Sequence, residues 1–161
     1  MPIPNGFSNT ASTFRFNSDF LAKSYAGLTD EEWLRQPSAT TNHILWIVGH
    51  VLWARASVLR MLGSHWTRPW LALFGRGQKL GAGEYPAPHE LAEAWTEISA
   101  ALAAAFESVA PEVLAAPAPE RVPSFDGTLG GTVAFLAFHE STHVGQACYL
   151  RKWLGHEGTM G

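Results

Sequence analysis

The chain has one cysteine, Cys148, which excludes an internal disulfide framework and a Cys-x-x-Cys metal knuckle. It is also short of charge: 16% of its residues are Asp, Glu, Lys or Arg, against about a quarter in ordinary globular domains. Eleven basic residues stand against fourteen acidic ones, net −3. No basic run exceeds two residues, so the basic stripe that offsets nucleic-acid phosphates is missing and no nucleic-acid partner is expected. The most apolar run, Ile44 to Ala54, carries His50 and is about half the length of a bilayer crossing, so no membrane span is expected. The first residues lack the basic and apolar regions of a secretory signal. A cytoplasmic protein is the expectation. Strand-type alternation of β-branched with polar residues is absent beyond a few positions.

What is present is an apolar, aromatic-rich chain: 47% hydrophobic, with seven Trp in 161 residues. That length suits one domain spanning residues 1–161, able to bury about 70% of its unfolded surface. With so few charges to coat it, some apolar surface is expected to be covered by a second subunit or to line a pocket.

Helix-period segments separated by Pro and Gly fill the sequence. The first runs from about Thr10 to Ala26, with Phe14, Phe16, Phe20, Leu21 and Tyr25 on its apolar side. A short helix is predicted from Asp30 to about Arg35, started by a Thr29/Glu32 capping box and stopped by Pro37. The second long helix is predicted from Thr40 or Thr41 to Leu62, with Gly63 after it. Ser64 to Pro86 carries four Gly, two Pro and no clear period, a long connection of the kind that often has a function. The third helix is predicted from Pro88 past Phe106, fading at Pro111, and Ala115 to Pro123 reads as a loop. The fourth is predicted from Thr128 to Gly155. The fold expected is all-α: a four-helix bundle with a long connection between its second and third helices and a short extra helix between the first and second.

Bundles place metal and cofactor sites in the core, on facing helices. His139 and His143 are four residues apart in AFHESTHVGQ, so they lie about 40° apart on one face, one turn from each other. That spacing lets two imidazoles reach one metal ion. Gln146 falls within about 20° of His139 on the same stripe, whereas Cys148 points roughly the opposite way. The letters His139-Glu140-Ser141-Thr142-His143 also match the HExxH zinc motif, which makes Glu140 a candidate general base. The bland alternative is a pair of satisfied structural histidines. A third ligand would come from another helix. His43 and His50 are seven residues apart on one face, roughly 10 Å along the axis, so they do not share an ion. His50 is the one embedded in an apolar stripe with Trp46, Ile47, Trp53 and Ala54, where an unpaired imidazole would cost about 1–3 kcal/mol. His43, in the first turn, is expected to cap or to face solvent. His65, His89 and His156 read as surface residues; Arg55, Arg60, Arg68 and Arg76 are candidates to bind an acidic ligand, but nothing singles one out and a solvated surface role is the better reading of each. Three neutral imidazoles leave a divalent ion's charge uncompensated and a coordination position open, which is a catalytic arrangement.

Three passages carry a family resemblance: Asn42 to Arg55 with WIVGHVLWAR, the stretch around WLALFGRGQ and EYPAPHELAEAW, and FHESTHVGQACYLRKWLG. In order and spacing they resemble the DinB-like superfamily of YfiT-type metalloenzymes. The resemblance implies a four-helix bundle holding one divalent ion, zinc or nickel, on His50, His139 and His143, and commonly a homodimer. It implies thiol-dependent chemistry: transfer of a low-molecular-weight thiol, such as mycothiol or bacillithiol, to an electrophilic small-molecule substrate. Gln146 would then bond a metal-bound ligand or orient a histidine. Such proteins vary the residue after the first His, which makes the HExxH match incidental. A hydrolase using Glu140 and a non-enzymatic, stress-related metal-binding bundle are the competing readings.

Overall fold

A computed structural model describes residues 7–81 and 83–159. Every regular element among them is helical: α1 (Ser8–Tyr25), α2 (Asp30–Leu34), α3 (Ile44–Met61), a 3₁₀ turn (Leu71–Phe74), α4 (Pro88–Ser108), α5 (Pro111–Ala115) and α6 (Leu129–Trp153). The long helices pack in a cycle, α1 and α3 each lying against both α4 and α6.

Local chemistry sets most of the boundaries. The Thr29 hydroxyl accepts the Glu32 N–H while the Glu32 carboxylate accepts the Thr29 N–H, the reciprocal box expected at the start of α2. α4 opens with Pro88 at its first turn, and Glu90 accepts the Ala87 N–H at 2.8 Å. α6 opens on Thr128, whose hydroxyl accepts the Gly131 N–H at 2.9 Å, and ends before Gly155 at φ 93°.

Three details depart from the sequence expectation. α3 begins at Ile44 rather than at Thr40 or Thr41, because Ser38 and Thr41 close a polar turn on each other and His43 serves as the cap. The Pro111 region does not simply fade: Pro111 starts α5, which buries Leu114 and packs against α6. Phe16 is 54% exposed, since α1 buries Phe14, Asn17, Leu21 and Ser24, a stripe offset from it.

α3 is the central helix. It is the one described helix long and apolar enough to cross a membrane, and most of it is buried against its neighbours, as in a core helix. Of its two arginines Arg55, expected at the surface, is wholly buried. All five of its N–H donors are used. Nε and Nη2 reach the two oxygens of Glu140 on α6 at 2.7 and 2.8 Å. Nη1 reaches Ser18 of α1 and Ser99 of α4, and Nη2 also reaches the Phe14 carbonyl of α1. The guanidinium carbon lies 3.8 Å from the centre of the Trp95 ring. One side chain thus binds all four long helices.

Candidate metal centre

α3 and α6 bring His50, His139 and His143 together, with one ring nitrogen from each within 4.8 Å of the others. The Nε2 atoms of His139 and His143 stand 3.1 Å apart. Their i, i+4 spacing on α6 places the two rings, and the crossing of α3 supplies the third.

Two of the three rings are held from behind. His50 Nδ1 lies 2.8 Å from the Phe74 carbonyl. A carbonyl only accepts, so Nδ1 carries the proton and Nε2 is left with its lone pair. Phe74 is brought there by the 3₁₀ turn, and its ring fills the space beside Gly49, where a Cβ would stand 2.2 Å from it. His143 Nδ1 lies 3.0 Å from Gln146 Oε1, which likewise fixes the proton on Nδ1 and frees Nε2. Gln146 therefore orients a histidine, one of the two roles anticipated for it. Trp46 and Trp53 stack nearly parallel to the His50 ring, at 4.8 and 5.8 Å between centroids. They belong to the wall of the site as much as to the core.

All three imidazoles are held below their ordinary pKa, so they are neutral at pH 7. Burial is the main cause in each case. For His50 its bond to Phe74 opposes the shift. For His139 the charges of His50 and Arg76 add to it. For His143 burial and His50 bring it down to about 4 against the opposing bond from Gln146.

This donor set fits a divalent ion. Two tautomers already point an unprotonated Nε2 inward, and among the described residues no carboxylate joins the cluster. His139 turns its Nε2 to the same point, and its other ring nitrogen, Nδ1, has no competing role. That Nδ1 is buried with no hydrogen-bond partner among the described residues. The ligands would be His50, His139 and His143.

The other candidates lie elsewhere. Glu140, the base of the HExxH reading, is 1% exposed and has both oxygens on Arg55, which corrects its assignment as a residue free to serve the ion. His43 is buried and caps α3, its Nδ1 accepting the Trp46 N–H at 3.0 Å. His65 and His89 are exposed, and His156 is half-buried against Glu32. Arg68 pairs with Glu97. Arg60 and Arg76 are exposed, as expected. Two features escaped the sequence reading: the Phe74 carbonyl and the burial of Arg55. The second had a signal, since Arg55 shares an α3 face with Leu52 and Leu59.

One cavity adjoins the histidines and another adjoins Gln146. The first, of about 500 Å³, is bordered by His50 and His139. The other, of about 610 Å³, is bordered by Ile47, Thr142 and Gln146.

No curated protein matches the sequence. The DinB superfamily matches residues 15–147, a span that contains all three histidines, Gln146 and the buried arginine. On that match the chain belongs to the DinB superfamily.

Proposed function

We propose that the protein is a divalent-metal-dependent enzyme that transfers a low-molecular-weight thiol to an electrophilic small molecule. The observation that carries this reading is the meeting of three neutral imidazoles with two Nε2 lone pairs fixed inward. We read the four long helices as a four-helix bundle with the site between its second and fourth members. His50, His139 and His143 would hold the ion, zinc or nickel. When bound, such an ion supplies a positive charge that lowers the pKa of a thiol beside it and makes the sulfur nucleophilic at neutral pH.

The remaining work falls to the chain. The Phe74 carbonyl and Gln146 keep two ligands in the inward tautomer. Trp46 and Trp53 exclude water from one side of His50. A transfer reaction has two substrates; one cavity borders His50 and His139, and a second borders Gln146, the partner of His143. That favours transfer over hydrolysis, as does the engagement of both Glu140 oxygens by Arg55. A homodimer would cover the exposed aromatic residues Phe125 and Phe138.

The test has two stages. Elemental analysis of the purified protein should find about one equivalent of transition metal, absent from a His50→Ala, His139→Ala variant. The loaded protein should then consume thiol in the presence of electrophiles. Metal bound with no thiol consumed across a broad panel would sink the transferase and leave a metal-binding bundle. No uptake of added zinc or nickel would sink the site itself.

A further inference from the structure

The cavity bordered by His50 and His139 has a charge pattern unlike the rest of the molecule. Arg60, Arg76 and Arg121 line it, and no acidic residue does, although the chain as a whole carries −3. Among the described residues none of the three guanidinium groups pairs with a carboxylate, whereas Arg55 and Arg68 do. The three come from separate parts of the chain: the last turn of α3, the connection after the 3₁₀ turn, and the loop before α6. Arg121 is the one described non-glycine residue with a left-handed backbone, at φ 67°. Side-chain-bearing residues adopt that conformation at a cost, and it persists where the surroundings impose it. Much of the remaining lining is apolar, with Trp53, Val122, Phe135 and Leu136. Its volume of about 500 Å³ is that of a small-molecule site.

We infer that this cavity binds an organic anion: a small apolar body carrying carboxylate or phosphate groups. Its charged groups bond Arg60, Arg76 and Arg121, and its body lies against Trp53 and Phe135. The planar fork of a guanidinium matches either oxyanion in pairs of hydrogen bonds. Three like charges around one cavity repel each other, and an anion relieves that repulsion. The inference rests on the metal-site reading only in that one of the two substrates of the transfer would be this anion, held with its reacting atom toward His50 and His139.

Calorimetry separates the two ideas. The probes are benzene-1,3,5-tricarboxylate, phenyl phosphate and the uncharged benzene-1,3,5-tricarboxamide, titrated into the metal-free and the zinc-loaded protein at low and high salt. At least one anion should bind both forms tenfold or more tightly than the amide, and its binding should weaken as salt rises. Arg76→Gln and Arg121→Gln should each weaken it about fivefold, the magnitude of one partly screened charge contact. Both residues are exposed, so the variants should fold as the parent does, which circular dichroism checks. The stronger of the two anions identifies the headgroup chemistry. Anions that bind no better than the amide, or that bind both arginine variants unchanged, overturn the inference. Anion binding that survives while zinc uptake fails leaves this site standing and removes the metal reading alone.

Discussion

Arg55 and Glu140 form a two-pronged ion pair, 2.7 and 2.8 Å long, at positions that are 0% and 1% exposed. Glu140 lies next to one candidate metal ligand in sequence, yet its carboxylate is committed to α3. The pair is surrounded by Ser18, Ser99, the Phe14 carbonyl and the Trp95 ring, so no donor of the guanidinium is left over.

Removing one partner strands a charge in the core. Arg55→Met or Glu140→Leu should cost about 3–5 kcal/mol in urea unfolding, whereas the double variant should recover much of that loss. Metal content per folded molecule should stay near the parent's, since neither residue is a ligand. Single variants within about 1 kcal/mol of the parent would show that the pair does little for the fold.

Gln146 is exposed and makes its one side-chain bond to His143. Gln146→Ala should leave the unfolding midpoint of the metal-free protein unchanged and weaken zinc binding roughly 10- to 100-fold, as loss of a ligand's outer partner does. Competition with a chelating dye measures this. Unaltered affinity would mean that the His143 ring is oriented by packing alone.

Gly49→Ala tests the other support. The new Cβ would stand 2.2 Å from the Phe74 ring, so the ring must move, and the carbonyl that holds His50 moves with it. Overpacking of this kind costs about 1–3 kcal/mol. Zinc affinity should fall as well, and a variant with lower stability but full affinity would uncouple the 3₁₀ turn from the site.

His43 should make stability depend on pH. Its pKa is pushed below the ordinary value by burial, against an opposing backbone bond. The unfolded chain therefore binds a proton that the folded chain resists, so stability falls as pH drops below about 6.5 toward the lowered folded value. Protonation also puts a hydrogen on Nδ1, the atom that accepts the Trp46 N–H. The three histidines of the candidate site shift in the same direction, so the readout is a difference. His43→Asn keeps a capping acceptor without a titrating group and should flatten part of the profile between pH 5 and 7. Parallel profiles for parent and variant would dismiss the effect.

These residues also show what can be read before a structure is seen. The four long helices follow from apolar periodicity, and the choice of His50 over His43 followed from position along one face: His50 lies amid apolar neighbours, His43 in the first turn. Gln146 was within reach of the same arithmetic, because it lies on one helix with the histidines. Arg55 was misplaced although its face pointed inward, because the partner that makes its burial tolerable is 85 residues away and no local pattern joins the two. The support behind His50 was invisible for another reason: a main-chain carbonyl leaves no trace in residue type. Helix α5 was missed because five residues are too few to show a period.

That carbonyl has a consequence for how the protein can diversify. Every residue type carries the same acceptor, so residue 74 can hold His50 whatever its side chain, provided the ring-sized space beside Gly49 is filled. The long connection from Ser64 to Pro86 can then exchange its side chains, and with them the lining of the arginine-bordered cavity at Arg76, without disturbing the tautomer of a ligand. On the proposed reading, substrate preference and the geometry of His50 are inherited through different atoms of one segment, and selection can act on the first while the second stays put.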